Sequence, residues 1–468
     1  MTAMMTLAMA KAWLNHAELV GDGETGILRV HTDTRTIQHG DLFVALTGEK
    51  FDGNDFLAEA RAKGAIAAIS SSKEKLIHSG LPGLIASSTR EALGQLANGW
   101  RQQFTLPLIA VAGSNGKTTV TQMLAAILEK HRPAAFLATR GNFNNDVGLP
   151  LTLLRLRKNH QIAVVEIGMN HPGEILGLAK MANPTVALVN NAQREHQEFM
   201  SSVQAVAEEN GEVFRALAPM GTAVFPASVA YGLLWRKLAQ GHPMSEFSLE
   251  MTSAAIHCES YVWQGDAWRV QVQTPAGRLS FLLHVAGAHN VSNALAATAC
   301  ALAAGIPIAA VAQGLEAFKA VNGRSKIQVI PIDGRQLTLI DDSYNANPDS
   351  VRAAIDVLSG LPGPRLLVLG DMGEVGAQGV EFHQEVGLYA RSQGIERLAT
   401  VGPLSLHAQV AFGGVEHYSD VSTLNEAIKT QLLASATVLV KGSRFMKMER
   451  VVEFFKAQSG SPEELKCS

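Results

Sequence analysis

The fold of this chain is decided by one stretch of its sequence, Gly113-Ser114-Asn115-Gly116-Lys117-Thr118-Thr119. The stretch follows Leu108–Ala112, a continuous apolar run that is typical of a strand buried on both faces. It opens a helical pattern that continues to about Lys130. A strand, a glycine-rich turn and a helix in this order predict a phosphate-binding loop, because backbone N–H groups and the helix N-terminus then face an anion.

The residue types inside the loop predict a nucleoside triphosphate and magnesium as ligands. Lys117 places a positive charge near the β- and γ-phosphates, and the Thr118 hydroxyl is suited to ligate Mg²⁺. The standard phosphate loop has a further glycine where this chain has Val111, so this loop is a shortened variant. The alternative is a chance Gly-Lys-Thr turn in a chain with 42 glycines, and the flanking strand and helix argue against it.

Two further polar residues follow strands of the same predicted sheet. Glu166 lies at the end of the apolar run 162–167, and His196 follows the run 186–190. Because ligands gather at the carboxyl ends of parallel strands, Glu166 is a candidate ligand of the magnesium ion and His196 of a second metal ion. The alternatives are a surface glutamate at a strand end and a solvated loop histidine.

Composition excludes several classes of protein. The 468 residues are enough for about three domains. Hydrophobic residues make up 47% and charged residues 17%, which excludes disorder as the main state. The 39 basic and 42 acidic residues leave no basic excess of the kind that a nucleic-acid partner requires. The three cysteines form no C-x-x-C pair, which argues against a zinc ribbon or a disulfide framework and favours a reducing, cytoplasmic location.

Two apolar segments have some features of membrane signals. Residues 1–9 have no basic region before the apolar part, so a signal peptide is not expected. Residues 294–312 carry no charge, but they are mostly alanine and are interrupted by Gly305-Ile306-Pro307. This second segment predicts two buried helices, and we expect no insertion into a membrane.

The alternation of apolar runs with helical patterns predicts an α/β protein of three domains. A small α/β domain covers residues 1–104, and a central, mostly parallel doubly wound sheet with the phosphate loop covers 105–320. A Rossmann-like domain covers 321–468, with strand candidates at 337–340, 365–369, 397–401 and 437–440.

Taken together, the motifs of this chain resemble those of the Mur ligases of peptidoglycan synthesis. The phosphate loop, the stretch from Glu166 to Asn170 and His196 are part of the resemblance. The other motifs are Asp33–Arg35, Gly40–Leu46, Gly287–Ala297, Gly323-Arg324, Asp341–Pro348, Leu369–Glu374 and Val440–Met446. The resemblance therefore runs from residue 33 to about 449, nearly the whole chain.

The resemblance implies that the N-terminal domain holds a uridine diphosphate, the central domain holds the ATP phosphates, and the C-terminal domain closes over both. It implies catalytic roles for Lys117, Glu166, His196 and Arg324, and metal ligation by Thr118, Glu166 and His196. The implied ATP contacts are the loop residues Gly113, Ser114, Asn115, Gly116, Lys117, Thr118 and Thr119, with Asn290 and Asn293 near the adenine, Arg324 near the γ-phosphate and Asp342 near the ribose. The implied contacts to the other substrates are Thr34, Arg35, Asn144, Asn145, Tyr344 and Asn345, the first two near the uridine diphosphate.

Within the family, three motifs are most similar to the member that adds D-alanyl-D-alanine to UDP-N-acetylmuramoyl-tripeptide: Thr139–Asp146, Asp342–Pro348 and Lys441–Arg444. This similarity implies an ATP- and Mg²⁺-dependent, ADP-forming ligase that works through an acyl phosphate, as a cytoplasmic monomer. One alternative is another amide ligase of the superfamily, such as a folylpolyglutamate synthase-like enzyme. The other is a nucleotide-dependent switch without ligase activity.

One position departs from the family's pattern. Many Mur ligases carry a lysine that is modified to a carbamate and helps to hold the second metal ion, and Asn210 stands at the matching position here. An amide cannot form a carbamate, so Glu209 is a candidate substitute. The alternative is that Glu208 and Glu209 form an exposed acidic face of a helix.

Overall fold

Three sheets of five, nine and six strands, with one two-stranded ribbon, organise the protein. The computed structural model describes residues 3–48, 50–227, 229–332, 335–429 and 435–458. In agreement with the predicted fold class, most strands run parallel and are connected by helices. The domain boundaries given above stay a prediction.

The N-terminal five-stranded sheet has the order β2-β7-β6-β5-β4, and only the β2–β7 pair is antiparallel. β1 and β3 form the separate ribbon. The elements are β1 (Met5–Thr6), α1 (Leu7–Trp13), β2 (Glu18–Val20), β3 (Gly26–Ile27), β4 (Arg29–His31), β5 (Asp41–Val44), α2 (Leu57–Ala62), β6 (Ala65–Ser70), α3 (Lys73–Ser79), β7 (Gly83–Ile85) and α4 (Thr89–Arg101).

The central nine-stranded sheet contains the phosphate loop. Its elements are β8 (Leu108–Ala112), α5 (Lys117–His131), β9 (Phe136–Ala138), α6 (Gly148–Leu153), β10 (Ile162–Glu166), α7 (Glu174–Ala182), β11 (Val186–Val189), α8 (Val203–Gly211), β12 (Thr222–Pro226), α9 (Gly232–Leu238), β13 (Met244–Ser248), β14 (Ile256–Trp263), β15 (Trp268–Thr274), β16 (Gly277–Leu283), α10 (Ala288–Ala303) and α11 (Ile308–Ala317). The strand order is β16-β15-β14-β13-β12-β11-β8-β10-β9. In this spatial order the seven strands from β9 across to β14 run parallel. β15 pairs antiparallel with both β14 and β16.

This antiparallel edge is not recognised in the sequence, which predicts only the buried parallel strands. In β15 the buried residues Val270, Val272 and Thr274 alternate with residues that face solvent, because one face of the edge is uncovered. The apolar stretch 294–312 forms the two helices predicted for it, parts of α10 and α11. In the part of the chain that the structure describes, no helix has the length and apolar character to cross a membrane.

The C-terminal six-stranded sheet has the order β17-β18-β22-β19-β20-β21 and is parallel except for its first strand. All four predicted strands are present. The elements are β17 (Lys326–Ile332), β18 (Arg335–Asp342), α12 (Pro348–Ser359), β19 (Arg365–Gly370), α13 (Gly379–Ser392), β20 (Arg397–Val401), α14 (Ser405–Phe412), β21 (His417–Tyr418), α15 (Val421–Lys429), β22 (Thr437–Lys441) and α16 (Glu449–Gln458).

Local sequence explains where α12 begins, and this start matters for the site. The Asn347 side chain accepts a hydrogen bond from the Ser350 N–H at 2.8 Å, and the Ser350 hydroxyl accepts one from the Asn347 N–H at 3.0 Å. Pro348 occupies the first helical position, where a missing N–H costs nothing. The reciprocal cap fixes Asn347 at the domain's edge, facing the phosphate loop.

Two of the three cysteines belong to the hydrophobic core of the central domain. Cys258 is buried in β14 and Cys300 in α10, as expected for ordinary core residues. Burial raises the pKa of the Cys258 thiol to about 11, and that of Cys300 is raised for the same reason. Both thiols therefore stay protonated at neutral pH. Cys467 lies outside the described residues.

Candidate active site

The phosphate loop has the backbone geometry that its glycines predict. Gly113 and Gly116 have φ angles of +125° and +82°, which favour glycine. A Cβ atom on Gly116 would lie 2.4 Å from Asn293 Oδ1, so space also restricts this position to glycine. Lys117 begins α5, and its Nζ donates to the carbonyl oxygens of Gly113 at 2.6 Å and Ser114 at 2.9 Å. The ammonium group therefore lies against the loop, at the mouth of the anion site.

A series of hydrogen bonds between asparagine side chains connects the phosphate loop to α10. Asn190 Nδ2 donates to the Asn115 carbonyl at 2.8 Å and to Asn293 Oδ1 at 2.9 Å. Asn293 Nδ2 in turn donates to Asn290 Oδ1 at 2.9 Å. The sequence places Asn290 and Asn293 near the nucleotide by resemblance, and the structure brings both to the phosphate loop through α10.

Glu166 ends β10 with one carboxylate oxygen engaged and the other free of partners. Oε1 accepts from Asn144 Nδ2 at 2.7 Å, while Oε2 is buried and has no hydrogen-bond partner among the residues described. A buried, unpartnered carboxylate oxygen is costly unless a cation binds it. Thr118 lines the same cavity, and carboxylate and hydroxyl oxygens are ligands that Mg²⁺ accepts. The two residues therefore fit a magnesium ion.

The loop after β11 contacts the C-terminal domain through two of its side chains, Arg194 and His196. The Arg194 guanidinium binds Asp349 at 2.6 Å and Glu385 at 2.6 Å, and both acids belong to the C-terminal domain. We call these three residues the Arg194 clasp. His196, at φ +49°, places Nδ1 2.5 Å from Glu374 Oε2. The contact with His196 holds the pKa of Glu374 below its ordinary value.

Two residues of the C-terminal domain meet the cavity as the resemblance implies. The Arg324 guanidinium lies over the Tyr344 ring, 4.3 Å from its centroid. The Asp342 carboxylate accepts from Lys441 Nζ at 2.6 Å and from the Ser325 N–H at 2.9 Å. Lys441 had no predicted role, although it lies in a motif of the resemblance.

One cavity of about 1670 Å³ gathers most of the predicted site residues. Its lining includes Ser114, Asn115, Gly116, Lys117, Thr118, Thr119, Asn144, Asn145, Glu166, His196, Asn290, Asn293, Arg324, Asp342, Tyr344 and Asn345. Gly113 lies in the floor of the loop, where its N–H donates to Asn210 Oδ1 at 2.8 Å. The cavity is thus formed by the central and C-terminal domains together, with a few residues of α1 and α4.

Two predicted substrate residues lie elsewhere. Thr34 and Arg35 belong to a 3-10 turn of the N-terminal domain and are absent from the lining among the residues described. The Arg35 side chain is 84% exposed and pairs with Asp33. Asn145 does reach the cavity, but its Oδ1 accepts from the Gly148 N–H at 2.9 Å, at the start of α6.

The structure places Glu208 and Glu209 in different surroundings. Glu209 is buried, so the suggestion that Glu208 and Glu209 both form an exposed face is wrong for Glu209, whereas Glu208 is exposed. The Glu209 carboxylate accepts from the N–H groups of Gly173 at 2.8 Å and Ile175 at 2.9 Å. Its oxygens are occupied by the start of α7, and within the described chain Glu209 is not part of the cavity lining. It therefore does not substitute for a metal-binding carbamate there.

Two acidic residues of the site were given no role from the sequence. Glu195 is buried in the cavity wall, and Glu374 contacts His196 from the C-terminal domain. Glu195 directly precedes His196, and this adjacency is the signal that could have found it. Within the ranges that the structure covers, no three His, Cys, Asp or Glu side chains cluster closely enough to hold a metal ion by themselves.

Comparison with known protein families matches three successive parts of the chain. Residues 27–101 match the Mur ligase family catalytic domain, 111–301 the Mur ligase middle domain, and 324–444 the Mur ligase glutamate ligase domain. With the full-length relatives described next, these matches show that the chain belongs to the Mur ligase family.

Within that family, relatives that match nearly the whole chain include UDP-N-acetylmuramoyl-tripeptide--D-alanyl-D-alanine ligases, the MurF type. The Escherichia coli enzyme is 41% identical over 90% of this chain and 92% of its own length. The Haemophilus influenzae enzyme is 39% identical over 97% and 99%. A crystal structure of MurF from Acinetobacter baumannii superposes with a TM-score of 0.89 at 33% identity, covering 97% of this chain and 99% of that one. A Thermotoga maritima MurF structure in complex with ADP has a TM-score of 0.80 at 25% identity, over 92% and 97%.

Proposed function

We propose that this chain is an ATP-dependent, ADP-forming ligase that joins D-alanyl-D-alanine to UDP-N-acetylmuramoyl-tripeptide. The observation that carries the proposal is a single cavity in which Lys117 and the phosphate loop face Arg324 and Asp342 of another domain. The curated relatives bear the name of this activity, and the Thermotoga maritima neighbour holds ADP. We further propose that the enzyme acts as a cytoplasmic monomer.

The first chemical step joins two anions. A carboxylate oxygen of the tripeptide attacks the γ-phosphorus of ATP, ADP leaves, and an acyl phosphate forms. Lys117 and Arg324 offset the charge repulsion, because each offers a fixed positive charge that needs no reorganisation as the reaction proceeds. Arg324 packs over the Tyr344 ring, which restricts where its charge can be placed.

The second step forms the amide bond. The amine nitrogen of D-alanyl-D-alanine attacks the acyl carbon, inorganic phosphate leaves, and the amine proton passes to a base. Water competes with the amine for the acyl phosphate, so the site must be closed during this step. Contacts between the domains support closure: Asn347 Nδ2 donates to Asn115 Oδ1 at 3.0 Å, next to the Arg194 clasp.

Magnesium is the proposed metal cofactor: Thr118 and Glu166 would hold one ion together with the phosphate oxygens, and His196 would be a ligand of a second ion. When bound, it neutralises phosphate charge and polarises the transferring group. Asn144 orients Glu166 by its hydrogen bond to Oε1, and Oε2 would be the oxygen available to the cation. The N-terminal domain, with Thr34 and Arg35, is proposed to bind the uridine diphosphate end of the long substrate, away from the reacting groups.

The test is product formation and phosphate release with purified protein. We expect a product of the summed mass, less one water, and phosphate release only when ATP, UDP-N-acetylmuramoyl-tripeptide and D-alanyl-D-alanine are all present. Phosphate release from ATP alone at the full rate would instead indicate a nucleotide switch, and a product with glutamate in place of the dipeptide would indicate a folylpolyglutamate synthase-like ligase.

A matched pair of variants links the activity to the phosphate loop. Lys117→Ala should lower kcat by about 10²–10³-fold, the effect of removing one fixed charge from a developing anion. Lys130→Ala, at the exposed far end of the same helix, should leave the rate unchanged. Equal rates for both variants would refute the assignment of Lys117.

A further inference from the structure

We propose that Glu195 is a carboxylate ligand of a divalent cation that binds with the nucleotide phosphates, and that Asn210 positions it. The inference rests on the proposed function for the identity of the nucleotide, but the cation site can be tested without ligation.

Glu195 lies between the phosphate loop and α8. Its side chain is 7% exposed and lines the large cavity. Oε2 lies 3.4 Å from Lys117 Nζ and 3.8 Å from His196 Nε2, while Oε1 lies 3.4 Å from Asn210 Nδ2. The carboxylate is therefore held from one side by an amide, and its other oxygen faces the anion site.

An acidic group at this place conflicts with phosphate binding unless a cation intervenes. Lys117 lies beside Glu195 in the free protein, but ATP phosphates would compete for that ammonium group. Glu195 would then face a polyphosphate inside the same cavity, where like charges repel. A divalent cation between the two anions removes the conflict and gives the carboxylate a ligand role.

A second carboxylate of the same cavity has an oxygen that a cation could bind. Glu166 Oε2 is buried without a partner among the described residues, and Glu166 is 2% exposed. Glu166 ends β10 and Glu195 follows β11, and these two parallel strands flank β8. Two buried carboxylates thus line the cavity that also holds Lys117.

Asn210 explains why the carboxylate comes from Glu195. Its Oδ1 accepts from the Gly113 N–H at 2.8 Å, and its Nδ2 donates to the Val206 carbonyl at 3.0 Å. This short, neutral side chain cannot itself supply a negative ligand. It instead directs its remaining N–H to Glu195, which supplies the charge from the adjacent loop.

The experiment measures Mn²⁺ binding by electron paramagnetic resonance in the presence of a non-hydrolysable ATP analogue. Glu195→Gln should weaken Mn²⁺ binding by about 10-fold or more, and Asn210→Ala by a smaller factor, as expected for a ligand and for a group that orients it. Glu198→Gln, an exposed acid three residues along the same loop, should leave Mn²⁺ affinity unchanged. Circular dichroism and thermal melting should confirm that each variant is folded.

Binding of the same analogue without metal separates ligation from a merely structural role. Glu195→Gln should leave metal-free nucleotide affinity unchanged or higher, because the variant removes a negative charge beside the phosphates. Unchanged Mn²⁺ affinity in folded Glu195→Gln, or equal losses with and without metal, would overturn the proposal. A Glu195-dependent Mn²⁺ site in a protein that forms no ligated product would support this inference while refuting the proposed function.

Discussion

Removing the charge of Arg194 should weaken the closed arrangement of the central and C-terminal domains. The guanidinium makes hydrogen bonds of 2.6 and 3.1 Å to Asp349 and of 2.6 and 3.1 Å to Glu385. Its side chain is 22% exposed, so water screens these charges only in part. Arg194→Met keeps the aliphatic part of the side chain and removes all four bonds.

The size of the effect follows from this geometry. A hydrogen bond to a charged group contributes about 1.5–3 kcal/mol net when buried, and an exposed ion pair contributes about 0–1 kcal/mol. For two carboxylates at intermediate exposure we expect about 2 kcal/mol in total. Since about 1.4 kcal/mol corresponds to a factor of ten, the closed arrangement should become roughly 30-fold less favourable.

The assay combines kinetics with small-angle X-ray scattering. With ATP analogue and both substrates present, Arg194→Met should have a larger radius of gyration than the unaltered protein, and its kcat/KM should fall by up to about 30-fold. The matched control is Arg352→Met, because Arg352 also binds Glu385 at 3.0 Å but lies on α12 of the same domain. Identical scattering and kinetics for Arg194→Met, or equal effects from both variants, would refute the reasoning.

Three other predictions follow from single contacts. Arg194 holds the pKa of Glu385 below its ordinary value of 4.5. The Arg194 clasp should therefore stabilise the closed domains fully above pH 4.5, and this stabilisation should be lost as the pH falls through the lowered pKa. An acid limb of kcat/KM that is unchanged in Arg194→Met would contradict this. Glu209→Ala should destabilise the protein by about 2–4 kcal/mol in urea unfolding, because the N–H groups of Gly173 and of the buried Ile175 lose their acceptor, while Glu208→Ala should change stability by less than about 0.5 kcal/mol. Removing bicarbonate at fixed pH should leave the ligation rate unchanged, because Asn210 cannot form a carbamate, and rescue by added bicarbonate would show that a lysine elsewhere is modified.

Features that depend on neighbours in the sequence could be predicted. The phosphate loop is recognisable because the strand, the glycines, Lys117 and the helix follow each other directly. Glu166 was found by the same logic, since the end of a buried strand lies at a ligand-binding edge whatever the rest of the fold does. The resemblance then supplied distant residues such as Asn293 and Arg324, which spacing alone does not connect to the loop.

Features that depend on long-range packing could not be predicted. Arg194 meets Glu385 across 191 positions of sequence, and neither residue has a local pattern that points to the other. The charge pattern around Glu209 fits a solvated helix face as well as a buried cap, and only the position of α7 decides between them. The antiparallel edge of the central sheet was missed because its strands alternate in burial and lack the continuous apolar run used to find the others.

The side chains that support the phosphate loop are amides, so this support does not depend on pH. Asn190, Asn290 and Asn293 neither gain nor lose protons in the range where proteins are folded. The loop therefore keeps the same scaffold in acid and in base, and no proton has to be taken up or released to form it. The titratable groups of the site lie elsewhere; among them is Glu374, whose pKa is held below its ordinary value by the contact with His196 of the other domain. A change of pH can then alter domain closure and cation binding, while the hydrogen bonds that support the phosphate loop stay the same.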